Sequence, residues 1–270
     1  MSQTATHPAT QPSLYIPHGG GPCFFMPDPR GMWTQMEAYL RALPASLPEP
    51  PKAILVISGH WEASAFAFTG AAQHPGLIFD YYGFPPETYQ LTWPAPGAPW
   101  LAERGAALLR AAGLPAAIDP ERGFDHGVFV PLKVAFPEAE VPVVQMSLHA
   151  SLDPALHVAA GEALAPLREE GVLILGSGMS FHNLRAMGDP RVGEPSRQFD
   201  QWLTDAAAAG PEERGARLAQ WAGAPWARLC HPREEHLLPL MVAAGASRSP
   251  GTHDYGEMVL GGAVSAFRFA

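Results

Sequence analysis

Lys52-Ala-Ile-Leu-Val-Ile-Ser-Gly-His60 is a short, apolar and β-branched run that ends in small residues and a histidine. A run of this kind is typical of a strand that is buried on both faces of a sheet. In open α/β sheets, ligands bind beyond the carboxyl ends of such strands. The segment therefore predicts a buried strand that delivers the imidazole of His60 to a loop facing a binding cleft.

Runs of the same character recur along the chain, and helical stretches separate them. The apolar runs lie at 14–16, 141–146 and 171–175, and the helix-like stretches at 34–43, 99–112, 153–170, 196–209 and 234–244. This alternation predicts an α/β fold with one central, mostly parallel or mixed sheet and with helices on both faces. Residues 257–269 are expected to add one or two antiparallel strands.

Length and composition predict one domain that acts on a small molecule. The 270 residues, 47% of them apolar, bury a substantial core as a single unit over 13–270, preceded by a flexible tail over 1–12. A net charge of −9 argues against nucleic acids and acidic membranes as partners. The apolar runs are far shorter than the roughly 20 residues that span a bilayer, and the N-terminus lacks a signal-like segment, so we expect a cytoplasmic protein.

Histidine is the chemically informative residue type, because several of the 11 histidines follow apolar strands. His18 follows the first strand and precedes three glycines, whose lack of a side chain lets the backbone approach a bound ion closely. Together with His60 it is a candidate metal ligand. His126 and His182 lie in similar glycine-containing segments, and each could be a ligand or an acid/base.

A second group of candidates lies near the last predicted helix. Glu235 and His236 are neighbours at its start, and adjacent helical residues point about 100° apart, so both are not expected to bind the same ion. His149 follows a predicted strand and is an intermediate candidate. Four further histidines are expected to be exposed and without function: His7, His74, His157 and His253. Cys23 and Cys230 are expected to stay reduced.

Imidazole and carboxylate ligands that leave coordination positions open suit iron(II) for oxygen chemistry, and imidazole-rich sets also suit catalytic zinc. The sequence contains no cysteine pair with zinc-ribbon spacing, no His-Glu-x-x-His and no Gly-x-Ser-x-Gly. These absences argue against structural zinc modules, zincin proteases and serine hydrolases. The residue types alone leave both metals open.

Seven short motifs occur in one order along the chain. They are Pro17-His-Gly-Gly, Ser58-Gly-His-Trp, Gly83-Phe-Pro-Pro-Glu-Thr-Tyr89, Gly123-Phe-Asp-His-Gly127, Pro142-Val-Val-Gln-Met-Ser147, Ser177-Gly-x-x-x-His-Asn-Leu-Arg185 and Pro232-x-x-Glu-His-x-x-Pro-Leu240. In this combination the sequence resembles the LigB-type class III extradiol ring-cleavage dioxygenases, in particular the 4,5-DOPA dioxygenase-like branch. The resemblance extends from about residue 13 to the C-terminus.

The resemblance implies a non-haem iron(II) (Fe²⁺) enzyme that opens the ring of a catechol, DOPA-like or related, with dioxygen. By position it implies that His18, His60 and His236 bind the metal. It also implies that His182 is a further ligand or an acid/base, and that His126 assists catalysis.

Several points stay open within this resemblance. More distant, protocatechuate-cleaving members use a glutamate as third ligand, so Glu235 is the alternative to His236, and His231 is expected to be incidental. Zinc (Zn²⁺) could occupy the same site. A zinc-dependent hydrolase on the same scaffold and a non-catalytic metal-binding relative are the alternative functions.

Aromatic residues near the histidine-containing loops are candidates for stacking on a planar substrate ring. We expect Trp61, Tyr82 and Phe84 to contact substrate, with Trp61 favoured because it adjoins His60.

Overall fold

The computed structural model describes residues 9–70 and 74–270, and within them eight strands form one mixed sheet. In chain order the strands are β1 (Ser13–Pro17), β2 (Ala53–Ala63), β3 (Phe66–Thr69), β4 (Ala116–Asp119), β5 (Val143–His149), β6 (Val172–Gly178), β7 (Gly251–Val259) and β8 (Gly262–Phe269). Their order across the sheet is β4-β3-β5-β2-β6-β1-β8-β7.

The four central strands, β5, β2, β6 and β1, run parallel, with Ile54 of β2 opposite both Val143 and Leu173. Because they are parallel, their carboxyl ends lie at one edge of the sheet. The antiparallel pairs lie outside this group, where β3 joins β5, and β8 joins β1 and β7. The mixed α/β sheet predicted from the sequence, including the C-terminal antiparallel strands, is therefore confirmed.

Helices cover both faces of the sheet. They are α1 (Thr34–Ala42), α2 (Pro99–Ala111), α3 (His126–Ala135), α4 (Pro154–Leu164), α5 (Pro166–Glu169), α6 (Gly193–Ala208), α7 (Pro211–Ala219), α8 (Ala227–Cys230) and α9 (Leu238–Gly245). Side chains alternate along β2, so Ile54 and Val56 pack with the face that α3 covers, and Leu55 and Ile57 with the face that α9 covers.

The predicted helices differ from the observed ones at two places. The stretch predicted at 153–170 is divided, since α4 ends at Leu164 and the proline at position 166 begins α5. The last predicted helix begins late, because 234–237 form a turn in which the amides of Leu237 and Leu238 donate to the carbonyl of Glu234. As a result, Glu235 and His236 lie before α9 and not on it.

The N-terminal boundary also differs from the prediction. Residues 1–8, which include His7, lie outside the described residues. Gln11 is buried, its amide donates to the carbonyl of Arg168 at 3.1 Å, and its own carbonyl accepts from Arg168 Nε at 2.7 Å. The packed part of the chain therefore starts before residue 13.

Two smaller features concern the thiols and the helix lengths. Cys23 and Cys230 are both buried and are not bonded to each other. Among the helices of the described residues, none is both long and apolar enough to cross a membrane.

Candidate metal centre

Histidines collect at the carboxyl edge of the parallel strands. His18 directly follows β1, His60 lies in the last part of β2, and His182 follows β6. His126 is the first residue of α3, and His236 lies in the turn before α9. The structure therefore brings together all five histidines that the sequence singled out as ligands or acid/base groups.

The turn that carries His236 is held directly against the strands. The hydroxyl of Tyr15 donates to the carbonyl of His236 at 2.8 Å. A Cβ at Gly59 would lie 2.8 Å from the carbonyl oxygen of Glu235, and one at Gly178 would lie 2.1 Å from that of His236. Glycine is required at both positions, because any side chain would push the turn away from the sheet.

The first turn of α3 approaches β2 just as closely. A Cβ at Gly127 would lie 2.5 Å from Ser58 Oγ and 3.0 Å from His60 Cδ2. The Ser58 hydroxyl also donates to Asp125 Oδ1 at 2.7 Å, which ties the start of the helix to the strand. His126, the next residue, is thereby placed with its ring centroid 3.9 Å from that of His60.

Three imidazoles converge through their Nε2 atoms. The Nε2 atom of His60 lies 3.3 Å from that of His18 and 3.1 Å from that of His236. Nitrogen ligands bound about 2.1 Å from one ion are separated from each other by roughly 3.0–3.4 Å, so the distances from His60 Nε2 to the other two atoms are those of ligands of a single metal.

Hydrogen bonds to the other ring nitrogens fix the tautomers of two of these rings. His18 Nδ1 donates to the carbonyl of Gly19 at 2.9 Å, and His236 Nδ1 donates to Glu235 Oε1 at 3.1 Å. In each ring Nε2 is then left with a lone pair and no proton. Metal-binding histidines have this arrangement, with the second N–H bonded to a carbonyl or a carboxylate.

The third ring and the pKa values agree with this picture. His60 Nδ1 lies 3.6 Å from Asp80 Oδ2, on the side away from the other two rings. Burial lowers the pKa of His18 and of His60 well below 6.5, and it lowers that of His236 to about 4. The unprotonated Nε2 atoms of His18 and His236 both lie close to His60 Nε2, so a cation between the three rings would meet electron pairs that it can bind.

The donor set therefore fits a divalent metal. Imidazole nitrogen suits both iron(II) and zinc, and three protein ligands leave positions for reactants. A bound ion would be held by His18, His60 and His236.

His126 has a carboxylate partner outside the three converging rings. Its Nδ1 lies 2.7 Å from Asp80 Oδ1, and its backbone N–H donates to the same oxygen at 3.0 Å. Burial alone would raise the pKa of Asp80, but the bonds from His126 outweigh it and hold that pKa below its ordinary value. The carboxylate is thus charged and fixes the proton of His126 on Nδ1, leaving Nε2 free.

His182 has an equivalent partner on the other side. Its ring stacks on that of His236 with 3.4 Å between centroids and 16° between planes, and its Nδ1 lies 3.4 Å from Glu235 Oε1. Burial opposes ionisation of Glu235, yet its bonds to both histidines lower its pKa far below the ordinary value. Glu235 thus contacts Nδ1 atoms, behind the converging Nε2 atoms, and holds both rings in place.

A cavity of about 480 Å³ opens beside the five imidazoles. Its remaining side chains are aromatic or aliphatic: Trp33, Tyr81, Tyr82, Phe84, Met179, Leu184, Met187 and Leu260. The predicted contacts Tyr82 and Phe84 belong to this lining. Trp61 does not, which corrects the expectation based on its adjacency to His60.

The reason is the alternation of side chains along β2. Consecutive residues of a strand point to opposite faces, so Trp61 leaves the cavity that His60 enters. The Trp61 ring packs instead under the guanidinium of Arg122, 4.3 Å from the ring centroid.

Two histidines outside the site are buried in the core, and one of them was expected to be exposed. His157, predicted to be exposed, is fully buried, its Nε2 accepts from the amide of His149 at 3.2 Å and its Nδ1 donates to the carbonyl of Asp153 at 2.6 Å. His231 is also buried, and its Nε2 donates to the carbonyl of Ser180 at 2.8 Å.

The remaining three outer histidines lie away from the cavity. His74 and His253 are exposed as expected, and His149 bonds Ser151 Oγ at 2.8 Å without lining the cavity.

Comparison with known proteins gives consistent findings. The family model described as the catalytic LigB subunit of aromatic ring-opening dioxygenase matches residues 14–266. Dioxygenase tasH of Hapsidospora irregularis is 42% identical over 264 residues, which cover 90% of this chain and 80% of that protein. The 4,5-DOPA dioxygenase extradiol of Portulaca grandiflora is 44% identical over 204 residues, 74% of each chain. The crystal structure of an uncharacterized Escherichia coli K12 protein, 28% identical, matches with a TM-score of 0.76 over 96% of this chain and 100% of the other.

Proposed function

Because the chain belongs to the LigB family of aromatic ring-opening dioxygenases, and is an extradiol dioxygenase, we propose that it opens the ring of a catechol at a single iron(II) ion. The observation that carries this proposal is the convergence of three Nε2 atoms beside a cavity lined by aromatic and aliphatic side chains. The comparisons with known proteins confirm the family that the seven motifs predicted, and they leave the alternative of a zinc-dependent hydrolase without support.

We assign the metal to His18, His60 and His236, with Glu235 as an orienting group behind the ligands. Iron(II) held there would supply a Lewis acid for the catechol oxygens and a path for electrons between the ring and dioxygen, since a closed-shell ring and triplet oxygen react only slowly by themselves. Ring opening then incorporates both atoms of dioxygen into the product.

His182 is the first candidate for accepting the catechol proton. Its Nδ1 faces the charged Glu235, so Nε2 is the atom available to take a proton, and the resulting imidazolium is stabilised by that carboxylate. The loop that carries His182 also supplies cavity wall through Met179 and Leu184. A ring that rests against this wall would present its hydroxyl to His182.

His126 is the second proton-handling group, on the opposite side of the cavity. Asp80 holds its Nδ1 proton at 2.7 Å, which leaves Nε2 to exchange a proton with a substrate oxygen. Asp80 is therefore a positioning residue in this proposal, since it contacts the rings of His126 and, at 3.6 Å, His60, and acts on the substrate only through them.

The apolar lining has a further role, which is to exclude water from the reacting oxygens. Trp33 and Phe84 surround the space beside the imidazoles with hydrocarbon, and such surroundings strengthen the electrostatic effect of each nearby charge.

The test is a single-turnover reaction with defined metal. The protein is stripped of metal, loaded anaerobically with iron(II), and mixed with air and a panel of catechols while oxygen uptake and the yellow ring-opened product are followed. We expect one dioxygen consumed per ring opened, and the zinc-loaded protein to be inactive as the matched control. Stoichiometric iron with no oxygen uptake for any catechol would refute the proposal.

A further inference from the structure

The cavity lining combines polar groups with a larger number of apolar side chains. The polar groups are the imidazoles and the glycine loop 19–21, and the apolar side chains include Trp33, Phe84, Leu184, Met187 and Leu260. Among the described residues that line the cavity, none is lysine, arginine, aspartate or glutamate. Resting on the proposed function, we infer that the preferred substrates are catechols whose ring substituent is uncharged and apolar, such as an alkyl or aryl group.

The physical reason is the absence of lysine, arginine, aspartate and glutamate from the described residues that line the cavity. A carboxylate or an ammonium group that loses its water there without an opposite charge raises the free energy of the complex, whereas a hydrocarbon substituent lowers it.

The arginine side chains near the metal centre form contacts with other residues and do not line the cavity. Arg122 lies over the Trp61 ring and 3.3 Å from Asp125 Oδ2, and Arg233 forms a two-pronged bond with Glu62 at 2.5 and 2.7 Å. Arg185 follows Leu184 in sequence, but it is exposed and does not line the cavity.

The rim of the cavity gives an independent indication. Tyr82 is 91% exposed and Leu184 is 69% exposed, the two highest values among the large apolar side chains of the described residues. Both lie at this cavity. Exposed apolar side chains grouped at a concave site are typical of a ligand-binding surface.

The volume also exceeds what a bare ring requires. At about 480 Å³ the cavity falls within the roughly 300–1,000 Å³ of small-molecule sites, and a catechol without substituents fills only part of it. Met179 and Met187, whose unbranched side chains adapt to irregular shapes, border the remaining space. The room beyond the ring is therefore apolar and able to fit substituents of different outline.

The experiment compares substrates that differ only at the end of a short chain: propylcatechol, its carboxylate analogue dihydrocaffeate, and the amine dopamine. With the iron(II)-loaded enzyme we expect kcat/KM for propylcatechol to exceed both others by at least about tenfold. If dihydrocaffeate or dopamine equals or surpasses propylcatechol, the inference is overturned, although the proposed function stands.

A binding measurement separates the inference from turnover. Anaerobic calorimetry gives the affinity of each catechol for the iron(II)-loaded protein without reaction, and we expect the same ranking. If no catechol is cleaved, the proposed function fails, while the affinity ranking still decides whether the cavity selects apolar substituents. Tighter binding of dihydrocaffeate would show that the amides of the glycine loop act as an anion site, which contradicts the inference.

A charge-introducing variant provides the second arm. Leu184→Arg places a guanidinium at the rim at a position exposed enough to tolerate it, and should raise the kcat/KM ratio of dihydrocaffeate to propylcatechol at least about tenfold. The matched control is Ile118→Arg, at an exposed apolar residue of β4 that does not line the cavity, which should leave the ratio unchanged. An unchanged ratio in Leu184→Arg would contradict the inference.

Discussion

His18 and His236 are as deeply buried as His157 and His231, yet the two pairs differ in what their ring nitrogens face. The ring nitrogens of His157 bond to backbone groups of their own region. In the metal centre the Nδ1 atoms have partners, a carbonyl for His18 and the Glu235 carboxylate for His236, whereas the Nε2 atoms face Nε2 of His60. Burial therefore does not distinguish a ligand from a core histidine, and the convergence of unprotonated nitrogens does.

The most severe test of this difference removes one converging nitrogen. We expect His60→Ala to lose bound iron and to reduce kcat/KM at least about a thousandfold, because the remaining two imidazoles no longer define the site. Metal analysis after gel filtration and oxygen uptake measure the two losses. His157→Gln is the control from the core group, and should keep its iron. Normal iron content in His60→Ala would contradict the distinction between metal-binding and core histidines.

The comparison is sharpened by a histidine that borders the centre without being assigned as a ligand. For His182→Gln we expect iron content near that of the parent enzyme and a fall in kcat of about a hundred- to ten-thousandfold, as is usual when a general base is lost. Iron analysis and steady-state kinetics with propylcatechol check both. A variant that loses its iron would show instead that His182 is a fourth ligand.

A smaller effect on turnover is expected at Asp80, which lies behind His126 and does not line the cavity. Asp80→Asn should lower kcat about ten- to a hundredfold, because the proton of His126 is then no longer held on Nδ1 and the ring loses its fixed orientation. The double variant with His126→Gln should lose little more than His126→Gln alone, because the 2.7 Å bond to His126 is the closest contact of the carboxylate in the site, and His60 Nδ1 lies 3.6 Å away. Glu62→Gln, at a carboxylate bonded to Arg233 on the surface, is the control. Additive losses in the double variant would contradict the positioning role.

The smallest effect concerns stability in the core group. Burial lowers the pKa of His157 from 6.5 to about 4, so the unfolded chain binds a proton that the folded one does not. The stability that the neutral, buried His157 provides is fully present above pH 6.5 and is lost as the pH falls toward 4. At pH 5.5 we expect the free energy of unfolding to have decreased by about 1 kcal/mol from this cause. Urea unfolding of wild type and His157→Gln at pH 7.5 and 5.5 measures this. An equal loss in both proteins would assign the acid sensitivity to other groups.

Much of the sheet was predictable because its central strands are continuous apolar runs between helical stretches. α3 was not, since it is apolar on all sides and contains Pro131, so it lacks the periodicity that marks a surface helix. β3 and β4 have only four residues each, too few for a pattern.

His18, His60, His126 and His182 were predictable as candidates because each lies near a glycine or after a predicted strand, and His236 was predictable through the resemblance to the family. Asp80 was missed, since it lies in a loop without periodicity and its partner is 46 positions away in the sequence. His157 was misjudged because helical spacing does not reveal that α9 packs on α4. The prediction for Trp61 was wrong because it rested on adjacency to His60 in the sequence, whereas neighbouring residues of a strand point to opposite faces.

The contact of the 235–236 turn with Gly59 and Gly178 has an evolutionary and practical consequence. Backbone lies against backbone at these glycines, so almost any substitution there is expected to be harmful. Substitutions are tolerated more easily at cavity residues that lie in loops, such as Leu184 and Leu260. Diversification of substrate range, in nature or in directed evolution, should accumulate in those loops while the strand ends stay invariant.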